Sequence, residues 1–188
     1  MSLHLIALGA NSAGTRAGNA RRLALAAGAL RAVFGPSTRV SPLYATPAWP
    51  PGIGPDFVNA AAAIQSDLPS RSVLDRLHRI EDRFGRVRSL RWGARVLDLD
   101  LIATDGRVLP DAGTVRRWMG LDLGAQRSAA PSGLLVPHPR MQDRGFVLIP
   151  LAQIAPQWRH PLTGQSVRSM VRGLPRAARK GIRRLHPL

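Results

Sequence analysis

Residues 95–103, "RVLDLDLIA", place two aspartates in a stretch that otherwise has the composition of a buried strand. Because side chains alternate between the two faces of a strand, Asp98 and Asp100 lie on one face and three leucines lie on the other. Carboxylates at this spacing are roughly 7 Å apart and repel each other unless something positive lies between them. The stretch therefore predicts a strand with one apolar face and one face that attracts cations.

A bound metal ion is one way to provide that positive charge. The chain has no cysteine, and no histidine adjoins the pair, so the ligands would be oxygens, as hard cations prefer. Mg²⁺ takes one or two carboxylates together with substrate phosphates, which predicts a nucleotide substrate. The alternative is that both carboxylates pair with nearby arginines such as Arg91 and Arg95, or face solvent on an open sheet.

An arginine-rich segment, "GRVRSLRWGAR" (85–95), comes just before the aspartates. Guanidinium groups suit phosphate oxygens, and the Trp92 indole offers a plane for stacking. We expect the glycines at its ends to let this loop move. Cations on a mobile loop beside a carboxylate pair are what phosphoryl transfer requires, although a solvated basic loop is the plainer alternative. The arginines are Arg86, Arg88, Arg91 and Arg95.

The residues before this loop predict alternating strands and helices. A short apolar strand, "LHLIALGAN" (3–11), leads to a helix capped by Asn19 and ended by glycine and proline at 35–36. An extended segment (38–47), a proline-rich loop and a strand (56–66) with Phe57 and Asn59 on one face follow. The second helix (70–85) has a Ser70 cap. The order β, α, β, β, α, β predicts an α+β fold, a ferredoxin-like split βαβ sheet with helices packed on it.

The residues after the aspartate strand predict additional C-terminal helices. Residues 111–133 look irregular and are predicted to be an insertion, while residues 145–156 and 164–174 have the composition of a buried and an amphipathic helix. The last residues, 175–188, predict a frayed basic tail. We therefore expect a single domain over residues 1–174.

Composition limits the class of protein. The chain has 188 residues with 27 Lys+Arg against 11 Asp+Glu, a net charge of +16. That field attracts anions such as nucleotides or nucleic acid, although an arginine-rich genome would give the same excess. Without cysteines there is no disulfide or thiol site. With no apolar run long enough for a signal peptide or a bilayer span, we expect a soluble cytoplasmic protein.

Five motifs occur in an order that is specific to one enzyme family. They are "IALGAN", "SPLYATPAW", "DFVNAA", "RWGARVLDLDLI" and "VPHPRMQDRGFVLIPLAQIAP", spread over most of residues 3–172. With them the chain resembles the 6-hydroxymethyl-7,8-dihydropterin pyrophosphokinases of folate biosynthesis, which move a diphosphate from ATP to a pterin alcohol and release AMP. The resemblance implies that ATP and this pterin are the substrates.

The resemblance also implies roles for the nucleotide and metal residues. Asp98 and Asp100 would hold two Mg²⁺ ions that bridge the ATP phosphates. His138 and Arg144 would contact the nucleotide or its phosphates. The loop that closes over ATP would contain Arg86, Arg88, Trp92 and Arg95.

For the pterin, the matching positions are Thr46, Pro47, Phe57, Asn59 and Phe146. An aromatic ring such as that of Phe146 stacks on a flat pterin, and the Asn59 amide offers both a donor and an acceptor to its edge. The plainer alternative for the two phenylalanines is an ordinary place in the core. Glu81 is a weaker candidate, either a site carboxylate or a helix-surface partner for arginines.

Two other functions fit part of the sequence. A basic ferredoxin-like sheet also suits an RNA-binding module, but only 5% of the residues are aromatic and the acidic pair would repel a phosphate backbone. A different Mg²⁺-dependent phosphoryl or nucleotidyl transferase would use the aspartates and arginines but not the ordered motifs. We therefore expect no nucleic-acid or membrane partner, and a monomer.

Overall fold

An antiparallel sheet forms the centre of the molecule in the computed structural model, which describes residues 1–12, 14–48, 55–85, 95–122, 124–125 and 130–185. Its strands are β1 (Ser2–Ala10), β2 (Arg39–Val40), β3 (Tyr44–Thr46), β4 (Phe57–Ser66), β5 (Asp98–Thr104) and β6 (Arg183–Arg184). The helices are α1 (Arg16–Phe34), α2 (Ser70–Arg83), α3 (Ala112–Met119), α4 (Gly145–Ile154), α5 (Val167–Gly173) and α6 (Arg176–Arg179). A 3-10 turn, Met141–Asp143, comes before α4.

The sheet has the strand order β5-β1-β4-β3-β6, and β2 also pairs with β4. Every pairing is antiparallel. β5 is therefore an edge strand beside β1, with Asp98 opposite Gly9 and Asp100 opposite Ala7. Paired residues in a sheet share a face, so each aspartate side chain has only a glycine or an alanine as its neighbour on β1.

One face of the sheet, here called the leucine face, carries Leu99 and Leu101 and is covered by α1 and α2. Both leucines are almost fully buried, and they pack with Leu23 from α1 and Leu77 from α2. α2 turns every third or fourth residue inward, as a surface helix does. The predicted alternation along β5 is confirmed, because its leucines are buried while Asp98 and Asp100 are only partly buried.

The opposite face, here called the aspartate face, is covered by α4 and α5. Val147 and Leu151 of α4 and Met170 of α5 pack against Leu5 and other apolar residues of the sheet. The predicted buried helix and short amphipathic helix are therefore confirmed, as is a fold that mixes helices with an antiparallel sheet. In the part of the chain that the structure describes, no helix has both the length and the apolarity to span a bilayer.

Both predicted helix caps are wrong. α1 begins at Arg16, where the Thr15 side chain accepts a hydrogen bond from the Gly18 backbone N–H at 3.0 Å, and Asn19 is buried inside the helix. α2 follows Pro69 and has no side-chain cap. The Ser70 hydroxyl instead donates to Thr104 Oγ1 at 3.0 Å, which ties the start of α2 to the end of β5.

Two segments are more regular than predicted. Residues 111–133 include α3, whose cap is Asp111, so this part is not wholly irregular. The tail is not frayed over its described residues, because α6 and β6 form there and β6 pairs with β3. A methyl group on Gly145 would lie 2.0 Å from the Ala178 carbonyl oxygen. Gly145 therefore lets the C-terminal segment pack directly against the start of α4.

Candidate active site

The aspartate pair lies at the end of the sheet where β5 begins and β1 ends. The Asp98 side chain is 17% exposed, and its Oδ2 accepts a hydrogen bond from Arg95 Nη1 at 2.5 Å. Arg95 is thus one of the arginines that the ion-pair alternative named. Burial lowers the pKa of Arg95, but Asp98, Asp100 and Glu81 outweigh that effect and the pKa is raised overall. The Arg95 guanidinium remains charged and neutralises part of the pair.

Asn11 holds the backbone of Arg95 in place. Its backbone N–H donates to the Arg95 carbonyl at 3.1 Å, and its Oδ1 accepts from the Arg95 N–H at 2.6 Å. Asn11 is 5% exposed. The sequence showed only a residue that ends a strand, so this contact was not predicted.

Glu81 supports the aspartates from the leucine face. It is fully buried, and its Oε1 accepts a hydrogen bond from the Leu99 backbone N–H at 2.7 Å. Leu99 is the residue between the two aspartates on an edge strand, whose outward N–H needs a partner. Glu81 therefore fixes the strand that carries the pair and is not a helix-surface residue.

His138 is attached to the same strand. Its backbone N–H donates to the Ile102 carbonyl at 2.7 Å, and its Nδ1 accepts from the Arg140 N–H at 3.0 Å. Burial, with a contribution from Arg144, lowers the pKa of His138 to about 3. The imidazole is therefore neutral at physiological pH, and its proton lies on Nε2 because Nδ1 is an acceptor.

Arg144 lies at the start of α4 and is partly buried. Burial lowers its pKa, Asp100 and Asp98 oppose that shift, and Arg140 adds to it. The guanidinium carbon lies 5.6 Å from the centre of the Phe146 ring, within cation–π range. Arg144 thus provides a positive charge close to the aspartates.

The predicted pterin residues gather beside β1. Asn59 and Thr46 are buried on neighbouring strands, and Asn59 Nδ2 donates to Thr46 Oγ1 at 3.0 Å. Asn59 lies opposite Gly9, where an added methyl group would be 3.0 Å from Asn59 Oδ1 and 3.9 Å from Phe57 Cδ1. Gly9 therefore separates the Asn59 amide from Asp98, its other neighbour across the sheet.

Two further pterin candidates lie at the margins of this group. Phe146 is partly buried and packs with the apolar cluster that includes Ala7 and Ala61 on the aspartate face. Pro47 is exposed and lies close to Gly181, since a methyl group added to Gly181 would be 2.5 Å from Pro47 Cγ. Arg86, Arg88 and Trp92 lie outside the described residues.

A pocket of about 430 Å³ opens beside Asp100. Asp100, His138 and Arg144, predicted from distant parts of the sequence, all line it. Arg140 and Trp118 line it too and were not predicted as site residues. The sequence did indicate the helix that carries Trp118, because residues 115, 118 and 119 are apolar at helical spacing.

The donors suit a hard cation. Among the described residues, no three or more His, Asp and Glu side chains form a group that could hold a metal ion by themselves. Asp98 and Asp100 could provide two oxygen ligands, and Mg²⁺ typically completes such a pair with phosphates and water. The residues therefore fit a magnesium ion that binds together with a phosphate ligand.

Comparison with known proteins identifies the family. The family model for 7,8-dihydro-6-hydroxymethylpterin-pyrophosphokinase (HPPK) matches residues 5–156. The chain belongs to the HPPK family. The match runs from β1 through the aspartate strand to the end of α4, so it includes every predicted site residue.

Curated HPPK relatives resemble the chain over much of its length. A 2-amino-4-hydroxy-6-hydroxymethyldihydropteridine pyrophosphokinase of Pseudomonas aeruginosa is 42% identical over 129 residues, 67% of either chain. One from Synechocystis is 37% identical over 117 residues, 62% of this chain and 50% of the relative. The chain thus spans half the length of the Synechocystis relative.

Solved HPPK structures share the fold. A structure described as HPPK-DHPS in complex with substrates matches all of this chain and 48% of its own, with a TM-score of 0.70 and 14% identity. Wild-type Plasmodium falciparum HPPK-DHPS matches 92% of this chain and 44% of its own, with a TM-score of 0.62 and 13% identity. At these identities the likeness concerns the fold alone.

Proposed function

We propose that the chain transfers diphosphate from ATP to the hydroxymethyl group of 6-hydroxymethyl-7,8-dihydropterin, giving the pterin diphosphate and AMP in folate biosynthesis. The observation that carries the proposal is the pocket in which Asp100 faces His138 and Arg144, with Asp98 on the same face of β5. Membership of the HPPK family and the names of the curated relatives support the same reaction.

Asp98 and Asp100 would hold the magnesium, with two ions implied by the resemblance. Bound there, Mg²⁺ neutralises charge on the phosphates and orients them. Arg95 keeps Asp98 in place through its ion pair, and Glu81 fixes the strand between the two carboxylates. These contacts would hold Asp98 and the strand beside Asp100 in place before any ligand enters, which is the preorganisation that such catalysis needs.

The reaction forms one bond and breaks one. The hydroxymethyl oxygen bonds to the β-phosphorus, and the bond from that phosphorus to the oxygen that bridges to the α-phosphorus breaks. AMP leaves with that electron pair, and the hydroxyl proton passes to solvent. His138, which is neutral, would donate a hydrogen bond from Nε2 to a phosphate oxygen. Arg144 would stabilise the negative charge on the phosphates. No described residue is assigned as a dedicated base, since a loose transition state needs little help in removing the proton.

The pterin would lie beside Asn59 and Thr46. Their hydrogen bond leaves the Asn59 Oδ1 free to accept from the pterin edge, while the aromatic rings of Phe57 and Phe146 and the ring of Pro47 provide apolar contacts. Arg86, Arg88 and Trp92 would close over ATP, as the resemblance implies. Closure would exclude water that otherwise hydrolyses ATP.

The wider architecture is part of the proposal. The order β5-β1-β4-β3 with antiparallel pairs supports a ferredoxin-like split βαβ sheet. Residues 1–174 would form one pyrophosphokinase domain, with 111–133 an insertion and 175–188 a basic C-terminal tail that packs on it. The protein would act as a cytoplasmic monomer.

Phosphorus NMR of the products tests the reaction. Purified protein is incubated with ATP, with and without the pterin and with and without Mg²⁺. We expect AMP and the pterin diphosphate only when both are present. Formation of ADP with a pterin monophosphate, or of no product, would contradict the proposal and favour a different phosphoryl transferase.

The RNA-binding alternative is tested in the same preparation. It predicts RNA affinity that falls steeply with salt and does not depend on magnesium. We expect no such affinity beyond the weak, salt-sensitive attraction that a net charge of +16 causes. Tight, magnesium-independent RNA binding without AMP formation would favour the alternative.

A further inference from the structure

Beyond β5, Leu109 and Val136 pair with each other, and the described residues between them (110–122, 124–125 and 130–135) are here called the excursion. Leu109 and Val136 close its base, each donating a backbone hydrogen bond to the other, at 2.7 and 3.1 Å. Within it, Asp111 Oδ1 accepts from the Thr114 N–H and Asp111 Oδ2 from the Thr114 hydroxyl, both at 2.8 Å. Both contacts fix the first turn of α3.

The α3 helix has one apolar side. Val115 is fully buried, and Trp118 and Met119, three and four residues later, are partly buried. Arg116 and Arg117 are exposed on the other side. The buried valine therefore holds the helix with its tryptophan turned toward the protein.

Trp118 lines the same pocket as Asp100. Apart from Arg71 and His78 of α2, residues 131–133 and Pro139, the lining falls into two chemical groups. A charged and polar group, suited to phosphates, comprises Asp100, His138, Arg140 and Arg144. An apolar group, suited to a flat ring, comprises Leu74, Leu101, Trp118, Leu134 and Leu135.

The two groups of lining residues lie at different positions along β5, as the direction of α2 shows. The start of α2 is tied to Thr104 through Ser70, and its end reaches Leu99 through Glu81. The helix therefore runs opposite to β5, and Leu74, near its start, lies on the side of the pocket away from the aspartates. A nucleotide has the same layout, with its base at a distance from its phosphates.

We propose that Trp118 stacks on the nucleobase of ATP and makes the pocket prefer purine to pyrimidine nucleotides; this rests on the proposed function for the identity of the nucleotide. The indole is the largest flat surface among the lining residues. A two-ring purine covers more of it than a one-ring pyrimidine, and stacking strength follows that overlap. The predicted pterin residues do not line this pocket, so the pterin does not compete for the indole.

Calorimetric titration with α,β-methylene-ATP and Mg²⁺ tests the contact, because the methylene group prevents cleavage. Loss of a stacking ring weakens binding by about 5- to 150-fold. We expect Trp118→Ala to raise the Kd for the ATP analogue within that range and to raise the Kd for α,β-methylene-CTP much less. Trp118→Phe should lose less than Trp118→Ala. Arg116→Ala, on the exposed side of α3, is the matched control and should bind like the wild type.

An unchanged Kd for the ATP analogue in Trp118→Ala would overturn the proposal, as would equal losses for both analogues. If the alanine variant unfolds, Trp118→Leu decides, because leucine keeps an apolar side chain without a ring. Wild-type discrimination between purine and pyrimidine in Trp118→Leu would overturn the proposal. These outcomes distinguish a failure of the stacking proposal from a failure of the proposed reaction. Normal AMP formation with no effect of Trp118 refutes the stacking alone, while Trp118-dependent binding without AMP formation refutes the reaction alone.

Discussion

Asn11 and Arg95 exchange two hydrogen bonds across the start of the aspartate strand. The Asn11 N–H donates to the Arg95 carbonyl at 3.1 Å, and the Arg95 N–H donates to Asn11 Oδ1 at 2.6 Å. The Arg95 side chain in turn donates to Asp98. A buried residue at the end of β1 thus sets the position of an arginine and, through it, of a candidate metal ligand.

Replacing Asn11 with Ala is expected to weaken both folding and activity. The Arg95 N–H loses its acceptor in a partly buried place, which costs about 1–3 kcal/mol of unfolding free energy. Since Arg95 is then less well placed, we expect the rate of AMP formation to fall roughly tenfold or more. Urea unfolding and an AMP assay measure the two effects.

Asn11→Asp is the matched variant, because it keeps an oxygen at the acceptor position. It should retain more stability than Asn11→Ala. Equal stability and activity in Asn11→Ala and the wild type would show that the pair has no positioning role.

Gly9→Ala is expected to act on the pterin more than on ATP. The added methyl group would lie 3.0 Å from Asn59 Oδ1, and the hydrogen bond to Thr46 restrains the Asn59 amide. The amide must shift by a few tenths of an ångström, so the KM for the pterin should rise several-fold while the KM for ATP changes little. Gly28→Ala, at an exposed helix position with no atom within 4 Å of the new methyl group, should leave both values unchanged. Equal changes in the two KM values would be inconsistent with a pterin site at Asn59.

Glu81 is expected to matter as an acceptor. Glu81→Ala leaves the Leu99 N–H on the edge strand without its partner, and we expect a loss of about 1–3 kcal/mol in unfolding free energy together with lower AMP formation. Glu81→Gln keeps an oxygen for that N–H and should be the milder change in both measurements. Equal effects in Glu81→Gln and Glu81→Ala would mean that the carboxylate charge, and not the hydrogen bond, is what the site needs.

Stability should fall as the pH falls below about 7. Burial lowers the pKa of His4, His138 and His160 in the folded protein, whereas an unfolded histidine keeps an ordinary pKa near 6.5. Below that pH the unfolded state binds more protons than the native state, so the unfolding free energy decreases as the pH decreases. Above it these histidines contribute no pH dependence.

His160→Asn isolates one of these histidines. His160 is fully buried, and its Nδ1 accepts from the Leu162 N–H at 3.2 Å, a contact to a residue two positions later that an asparagine side chain also makes. We expect urea unfolding of this variant to depend less on pH between 7 and 5, by up to about one proton. An identical slope in the variant and the wild type would show that His160 does not contribute.

The sequence predicted the parts of the fold that depend on strong local patterns. The alternation along β5 identified the faces of Asp98 and Leu99 correctly, because side chains alternate with period two and the leucines share the buried face. The apolar run of residues 145–156 likewise identified a buried helix. α3 was missed because it is short and contains a glycine, although Asp111 and Thr114 are a recognisable start.

What the sequence did not predict depends on tertiary contacts. Ser70 is a common capping residue, but its hydroxyl is used by Thr104, which lies 34 positions away. The C-terminal tail looked frayed because it has little apolar content, yet β6 gains backbone partners in β3 that no local pattern reveals. The role of Asn11 also depends on a distant contact, since its partner Arg95 is 84 positions away. The candidate site was predicted from residue types, and its geometry came from these long-range contacts.

The most direct test of the central claim compares turnover and pterin affinity in Asp100→Ala. If Asp98 and Asp100 hold magnesium for diphosphate transfer, the rate of AMP formation should fall at least about 100-fold, while the Kd of the pterin changes only a few-fold. Asp82→Asn, an exposed carboxylate on α2, is the control and should keep both values. Near-normal turnover in Asp100→Ala would contradict the assignment of the aspartate pair.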